Sequence, residues 1–183
     1  MLTIENLHAT VADKPIEVRP ATSADAPELA ELLNATIARG GTTALEEAFT
    51  PERLDETYLT GPDVLSCVVA VDTEGGRLEG FQTLIREAHL PEDWGDIGTF
   101  SRVDGTQRGV GSALFAATLE RARALGLAAM NAQIRADNVG GLAFYSKIGF
   151  RDHKVDRAVP LSDGTPIDRI NKRYPLNLEE DVG

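Results

Sequence analysis

The sequence predicts an α/β fold, of the α+β kind, in a single domain, and three observations carry that expectation. Its 183 residues, 42% of them hydrophobic, suffice for one substantial core and leave a second full domain cramped. Apolar runs of strand length and helical stretches follow one another in the order strand, helix, helix, strand, strand, strand, helix, strand, helix, strand. Glycine, proline, asparagine or aspartate punctuates most of the seams.

IEVRP reads as the first strand. Ser23 or Asp25 can cap the helix that follows, where Leu29, Leu32, Leu33 and Ile37 recur at helical spacing until Gly40 and Gly41 break it. Thr50 before Pro51 favours the start of a second helix, TPERLDETYL, ending by Gly61 and Pro62. LSCVVAV and RLEGFQTLIRE are strands joined by DTEGG, whose glycines permit the positive φ angles of a tight hairpin. DIGTFSRV is the next strand, after a loop with Pro91, Trp94 and Gly95. In SALFAATLERARALG, Phe115, Leu119 and Ala122 can face a sheet while Glu120, Arg121 and Arg123 look outward, and Gly126 stops the helix. LAAMNAQIRADN alternates, with Ala128, Met130, Ala132 and Ile134 on one face. Asp137 or Asn138 can cap the short helix VGGLAFYSKI, which Gly149 ends before Phe150 opens a strand. The segment DHKVDRAVPLSDGTPIDRINKRY reads as a hairpin around SDGTP. Residues 1–15 are expected to be an N-terminal extension, 16–176 the domain and 177–183 an acidic tail.

Composition excludes several functions. Lys and Arg total 18 against 29 Asp and Glu, a formal net charge of −11, which disfavours nucleic-acid binding and either serves solubility or draws in a cationic substrate. No run of about 18 apolar residues exists to cross a bilayer. The N-terminal residues lack the basic start and apolar core of a secretion signal, so a soluble, cytoplasmic protein without membrane association is expected. Cys67 reads as a buried strand residue, and His8, His89 and His153 fall in no metal-ligand spacing, so no metal is expected.

The stretch TQRGVGSALF, Thr106 to Phe115, is a glycine-rich turn running into an apolar helix, a device that holds phosphate in several folds. As a dinucleotide fingerprint it has Leu114 where the third glycine belongs, and as a Walker loop it lacks the terminal Gly-Lys-Ser/Thr. It does satisfy R/Q-x-x-G-x-G/A through Arg108, Gly111 and Ala113. Unpaired N–H groups at a helix start, with the positive dipole end, can grip a pyrophosphate, and a side chain at the glycine would hold that phosphate away. The alternative is a glycine-bearing helix start with no ligand.

Downstream lies N-x-x-x-L-A-F-Y-x-x-x-G-F, here Asn138, Leu142, Ala143, Phe144, Tyr145, Gly149 and Phe150. The two motifs in this order resemble the GNAT-type N-acetyltransferase superfamily, and the likeness spans residues 16–174. The resemblance implies acetyl-CoA as cosubstrate. It also implies a central, mixed and mostly antiparallel twisted sheet of about six or seven strands with about four flanking helices, splayed between the fourth and fifth strands. On this sequence it places the pantetheine arm beside Ser101, Arg102 and Val103, paired to an open strand edge, and the pyrophosphate over Arg108, Gly109, Val110, Gly111, Ser112 and Ala113. Asn138 matches an asparagine near the cofactor's arm, and it can equally cap its helix. Tyr145 matches the tyrosine that relatives use to protonate or hydrogen-bond the departing thiolate; the alternative is a tyrosine packed under the sheet. Phe144, Ile148 and Phe150 read as core.

The implied chemistry is attack by a neutral amine on a thioester carbonyl, with a backbone N–H of the splayed strand stabilising the oxyanion. A base or a water chain must remove the amine's proton. Many relatives carry a glutamate five residues before the valine aligned with Val103, where this chain has Gly98. Asp96, two residues earlier on the same strand face, is the first candidate base, with Glu87, Glu92, His89 and a water relay as alternatives. Asn34, Thr42, Thr43 and Phe100 are expected to line the acceptor site. NATIARGGTTA is similar to members that acetylate small amino acids and their analogues. The expected function is N-acetylation of a small-molecule primary amine; a protein or peptide N-acetyltransferase and a non-catalytic CoA-binding sensor are the alternatives. Many relatives form dimers, so a homodimer is a family expectation.

Overall fold

A computed structural model describes residues 15–104 and 108–177; most of the expected extension and tail, with Thr106 and Gln107 of the glycine turn, lie outside the described residues. Strand β1 (Ile16–Pro20) leads into helix α1 (Ala26–Arg39). No side chain caps α1. The Asp25 carboxylate instead accepts from both terminal nitrogens of Arg19 at 2.9 and 2.8 Å, and from the Thr22 N–H at 2.8 Å. That pairing with Arg19 holds the Asp25 carboxyl below its usual range and ties strand to helix. Thr50 caps α2 (Pro51–Leu54), its hydroxyl accepting from the Arg53 N–H. The second helix is shorter than its pattern suggests, because Asp55–Leu59 widens into a π-type turn that brings Tyr58 against Phe49 and Phe100.

Strands β2 (Val64–Asp72), β3 (Leu78–Ile85) and β4 (Trp94–Ser101) follow, then α3 (Val110–Ala124), β5 (Ala129–Arg135), α4 (Val139–Lys147), β6 (Arg151–Pro160) and β7 (Pro166–Pro175). In the β2–β3 turn the Asp72 carboxylate accepts from the N–H groups of Glu74 and Gly75, and Gly76 takes a φ of +70°. Among the described residues the sheet order is β1-β2-β3-β4-β5-β7-β6, and only the β4–β5 pairing is parallel. The seven strands and four α-helices of the described residues thus meet the expected fold.

Strand alternation sorts the core into two layers. Cys67, Val69 and Phe81 face α1 and α2, where Leu29, Leu32, Leu33 and Leu54 cover them. Leu84, Ile97, Met130, Ala132 and Ile134 face the other way, beneath Phe115 of α3 and Tyr145 of α4. Each such large side chain contributes about 1.5–3 kcal/mol by leaving water. Strand β5, read as alternating, is buried on both faces from Ala129 to Ala132, since Asn131 lies under a polar cluster rather than in solvent. Among the described residues no helix is long and apolar enough to cross a membrane, and no cluster of metal-binding side chains occurs.

Candidate active site

The site begins where β4 loses a neighbour. Strand β4 pairs with β3 from Asp96 to Ser101, but with β5 only through Trp94, Gly95 and Asp96. The Arg102 N–H donates to the Glu79 carbonyl, so alternation also turns Phe100 and Gly98 toward β3. The N–H and C=O groups of Thr99 and Ser101 therefore face the gap. A cavity of about 760 Å³ fills it, bounded by Gly98 to Val103, Gln133 to Arg135 and Arg108 to Ser112.

At the α3 end, Gly109 has a φ of +84° and open space around it, so glycine serves the left-handed backbone there. Gly111 has a different reason. A Cβ on it would stand 2.7 Å from the Phe144 ring, so the residue is small to let α4 pack on α3, and not only to admit a phosphate as the sequence suggests. The N–H groups of Val110, Gly111 and Ser112 precede the first helical hydrogen bond and have no intrahelical partner. Ala113 departs from expectation, because its N–H donates to the Gly109 carbonyl at 2.9 Å. Arg108 is exposed and lines the cavity.

One face of β4 presents Asp96, Gly98 and Phe100. Asp96 is half-buried and accepts from the Asn131 amide at 2.7 Å. Burial pushes its carboxyl up to about 6; the Asn131 hydrogen bond lowers it, the charge of Glu87 raises it and that of His89 lowers it. Glu87 also lines the cavity, 3.8 Å from His89, whereas Glu92 is exposed and not part of the lining. A Cβ on Gly98 would stand 3.1 Å from the Phe100 ring, which thus covers this position. Phe100 stacks on Phe81 with ring centroids 4.9 Å apart and meets Tyr58 at 6.0 Å. Burial, then the charges of Glu87 and Asp96, raise the Tyr58 phenol.

The other face presents Ile97, Thr99 and Ser101. Here the Tyr145 hydroxyl lies 2.8 Å from the Thr99 hydroxyl, which also accepts from the Gln82 amide at 2.9 Å. Burial raises the Tyr145 phenol well above its ordinary value, with hydrogen bonding to Thr99 working the other way. Asp96 and Tyr145 therefore flank the same strand from opposite sides.

The remaining expected residues divide. Thr42 and Thr43 line the cavity, their carbonyls accepting from the Asn138 amide at 2.8 Å and the Arg135 guanidinium at 3.2 Å. Asn138 also caps α4, accepting from the Gly141 N–H at 2.9 Å, so its amide serves the fold on both sides. Arg102 lines the cavity, and its guanidinium donates to the Leu78 carbonyl and to Glu28. Val103 lies past the strand end. Asn34 is absent from the lining, since its side chain clamps both backbone groups of Phe49 at 2.9 and 2.7 Å. Tyr58, Thr99 and Arg135 line the cavity without having been singled out from the sequence. The odd-even alternation along DIGTFSRV was the available signal for Thr99; Tyr58 and Arg135 reach the cavity through long-range packing that no local pattern announces.

A family model described as acetyltransferase (GNAT) domain matches residues 16–151. Over 81 residues the chain is 41% identical to the mycothiol acetyltransferase of Clavibacter michiganensis subsp. michiganensis (strain NCPPB 382), a match spanning 44% of this chain and only 26% of that longer protein. Among solved structures, a GNAT superfamily phosphinothricin acetyltransferase from Sinorhizobium meliloti, in complex with AcCoA, gives a TM-score of 0.75 at 22% identity, covering 88% of this chain and 89% of that one. The ribosomal-protein-alanine N-acetyltransferase of Brucella melitensis gives 0.73 at 19% identity, covering 87% and 99%. At these identities the likeness is one of fold, and that fold is shared by proteins named for a small-molecule and for a protein acceptor.

Proposed function

The chain belongs to the GNAT acetyltransferase domain family, and from that premise we propose that it moves an acetyl group from acetyl-CoA to a small primary amine, an amino acid or an analogue of one. The observation that carries this reading is the gap beside β4, flanked by a carboxylate with a pKa of about 6 on one face and a protonated phenol on the other. The chain's own groups fit the donor. Val110, Gly111 and Ser112 offer three N–H groups at a helix start, with Arg108 beside them, for a diphosphate. Thr99 and Ser101 offer an open strand edge to an extended amide arm.

Acetyl-CoA supplies a thioester whose carbonyl carbon is open to attack by an amine. As the C–N bond forms and the C–S bond breaks, Asp96 takes the amine's proton and passes it to solvent. An N–H of the β4 edge stabilises the carbonyl oxygen. Tyr145 donates a hydrogen bond to the sulfur, which leaves with the electron pair. The raised phenol pKa makes that bond, rather than full proton transfer to a thiolate of ordinary pKa about 8.5, the contribution of Tyr145. Phe100, Tyr58, Thr42 and Thr43 shape the acceptor side, and the loop from Gly40 to Glu46, tied down by Asn138, Arg135 and Ser162, favours a small acceptor.

Thiol release from acetyl-CoA with a panel of amino acids, polyamines and peptides tests the reading. Release with amino acids or their analogues is expected. Release with peptides alone would move the acceptor to proteins, and CoA binding without release for any amine would make the chain a sensor.

A further inference from the structure

Resting on that transferase reading, we infer that Gln82 is a positioning residue that, through Thr99, directs the Tyr145 hydroxyl proton into the gap. Gln82 is fully buried and stands directly across from Thr99 on the neighbouring strand. The hydrogen-bonded rungs alternate from Arg102 and Glu79, so the Gln82 and Thr99 rung is one of the unbonded ones, where facing side chains stand closest.

The donors and acceptors at hand favour one direction. The Gln82 Nε2 atom can only donate, and it donates to the Thr99 Oγ1 atom at 2.9 Å. Thr99 has one hydroxyl proton, and its side-chain neighbour on the far side is the Tyr145 oxygen at 2.8 Å. With Thr99 donating to Tyr145, the phenol's own proton is left over, and Tyr145 lines the cavity. With the opposite polarity, Tyr145 would donate to Thr99 and turn lone pairs toward a sulfur gaining negative charge. A second observation sets Gln82 apart from ordinary core. Its Oε1 atom is buried with no hydrogen-bond partner among the described residues, an arrangement that an apolar side chain of similar size would avoid.

Gln82→Glu keeps the shape of the side chain and, once ionised, turns the donor into an acceptor; burial raises the pKa of that carboxyl, so Q82E is compared with the parent at a pH above it. Thr99 must then donate to the carboxylate, and Tyr145 to Thr99. We expect Q82E to lower kcat about tenfold or more while CoA affinity, measured by calorimetry, stays within about twofold. In a Tyr145→Phe background Q82E should cost nothing further, because the proton it misdirects is gone.

A readout without turnover is the infrared spectrum of ring-labelled tyrosine in the ligand-free protein, taken as a difference against Y145F. The phenol C–O stretch should report an acceptor in the parent protein and shift toward a donor in Q82E. Should Q82E not fold, Thr99→Val must reproduce the loss of kcat and displace the band, and Thr99→Ser must restore both. Parent-like kcat, an unmoved band, or a further loss in the Y145F background each overturns the inference. If the parent protein releases no thiol with any amine, the transferase reading fails instead, and the infrared comparison still decides the proton's direction.

Discussion

Past Asp96, the two faces of β4 are built from opposite materials. The face with Asp96, Gly98 and Phe100 holds a half-buried carboxylate beside a second acid, Glu87, with aromatic walls. The face with Ile97, Thr99 and Ser101 presses against α4 and carries a chain of neutral groups from Gln82 through the Thr99 hydroxyl to the Tyr145 hydroxyl. A strand that had kept both neighbours would have lent its edge to the ladder. Losing β5 after Asp96 leaves one strand able to serve a proton acceptor on one side and a hydrogen-bond donor on the other.

The largest way to break the contrast is to neutralise the acid face. Asp96→Asn should lower kcat/KM by about 10²–10⁴, the range for loss of a general base. In the parent protein the rate should rise with pH through about 6, as the carboxylate forms, and this inflection should vanish in D96N. A rate profile that keeps it would assign the base elsewhere. Stability should move the other way. Burial raises the Asp96 pKa above its unfolded value, so its contribution to stability is complete at low pH and is lost as pH rises through about 6. Asparagine does not titrate, and D96N should therefore gain about 2–3 kcal/mol over the parent above pH 6 and little near pH 4, read from urea melts.

The opposite face is tested by Tyr145→Phe. With one hydrogen bond to the leaving sulfur removed, kcat should fall about tenfold while CoA affinity is retained. Because the phenol is held protonated, Y145F should leave the inflection near pH 6 in place. Loss of that inflection would mean that the two faces titrate as one unit.

How much of this the sequence discloses depends on whether the signal is local. Turn and cap chemistry is local, so Thr50, the DTEGG hairpin and the Asn138 cap are legible residue by residue. The glycine turn is legible as a helix start, yet Gly111 answers to Phe144, more than thirty residues away, and that is invisible to a motif. Asp96 could be placed on the right face by counting from Gly98. Its partner Asn131 could not, because the β4–β5 register is a long-range fact. Asn34 is expected near substrate from its position, but the fold uses its side chain to fasten Phe49, whereas Arg102 lines the cavity and also reaches Glu28. Long polar side chains reach several neighbours, and only packing decides among them.

The smallest predicted effect falls on the residue that touches both sides. The Asn138 Oδ1 atom caps the helix that carries Tyr145, and its Nδ2 atom donates across to the Thr42 carbonyl in the loop over the acceptor side. Asn138→Asp separates the two duties. Aspartate caps a helix as well as asparagine does, so α4 and Tyr145 should hold their places. It cannot donate to Thr42, and its charge faces that carbonyl, so the loop loosens. One net hydrogen bond to a half-exposed loop is worth about 1 kcal/mol, so acceptor KM should rise about threefold to fivefold with CoA affinity unchanged. An equal loss in CoA affinity would mean that Asn138 serves the cofactor's arm directly, and the division between the two faces of β4 would then not extend to α4.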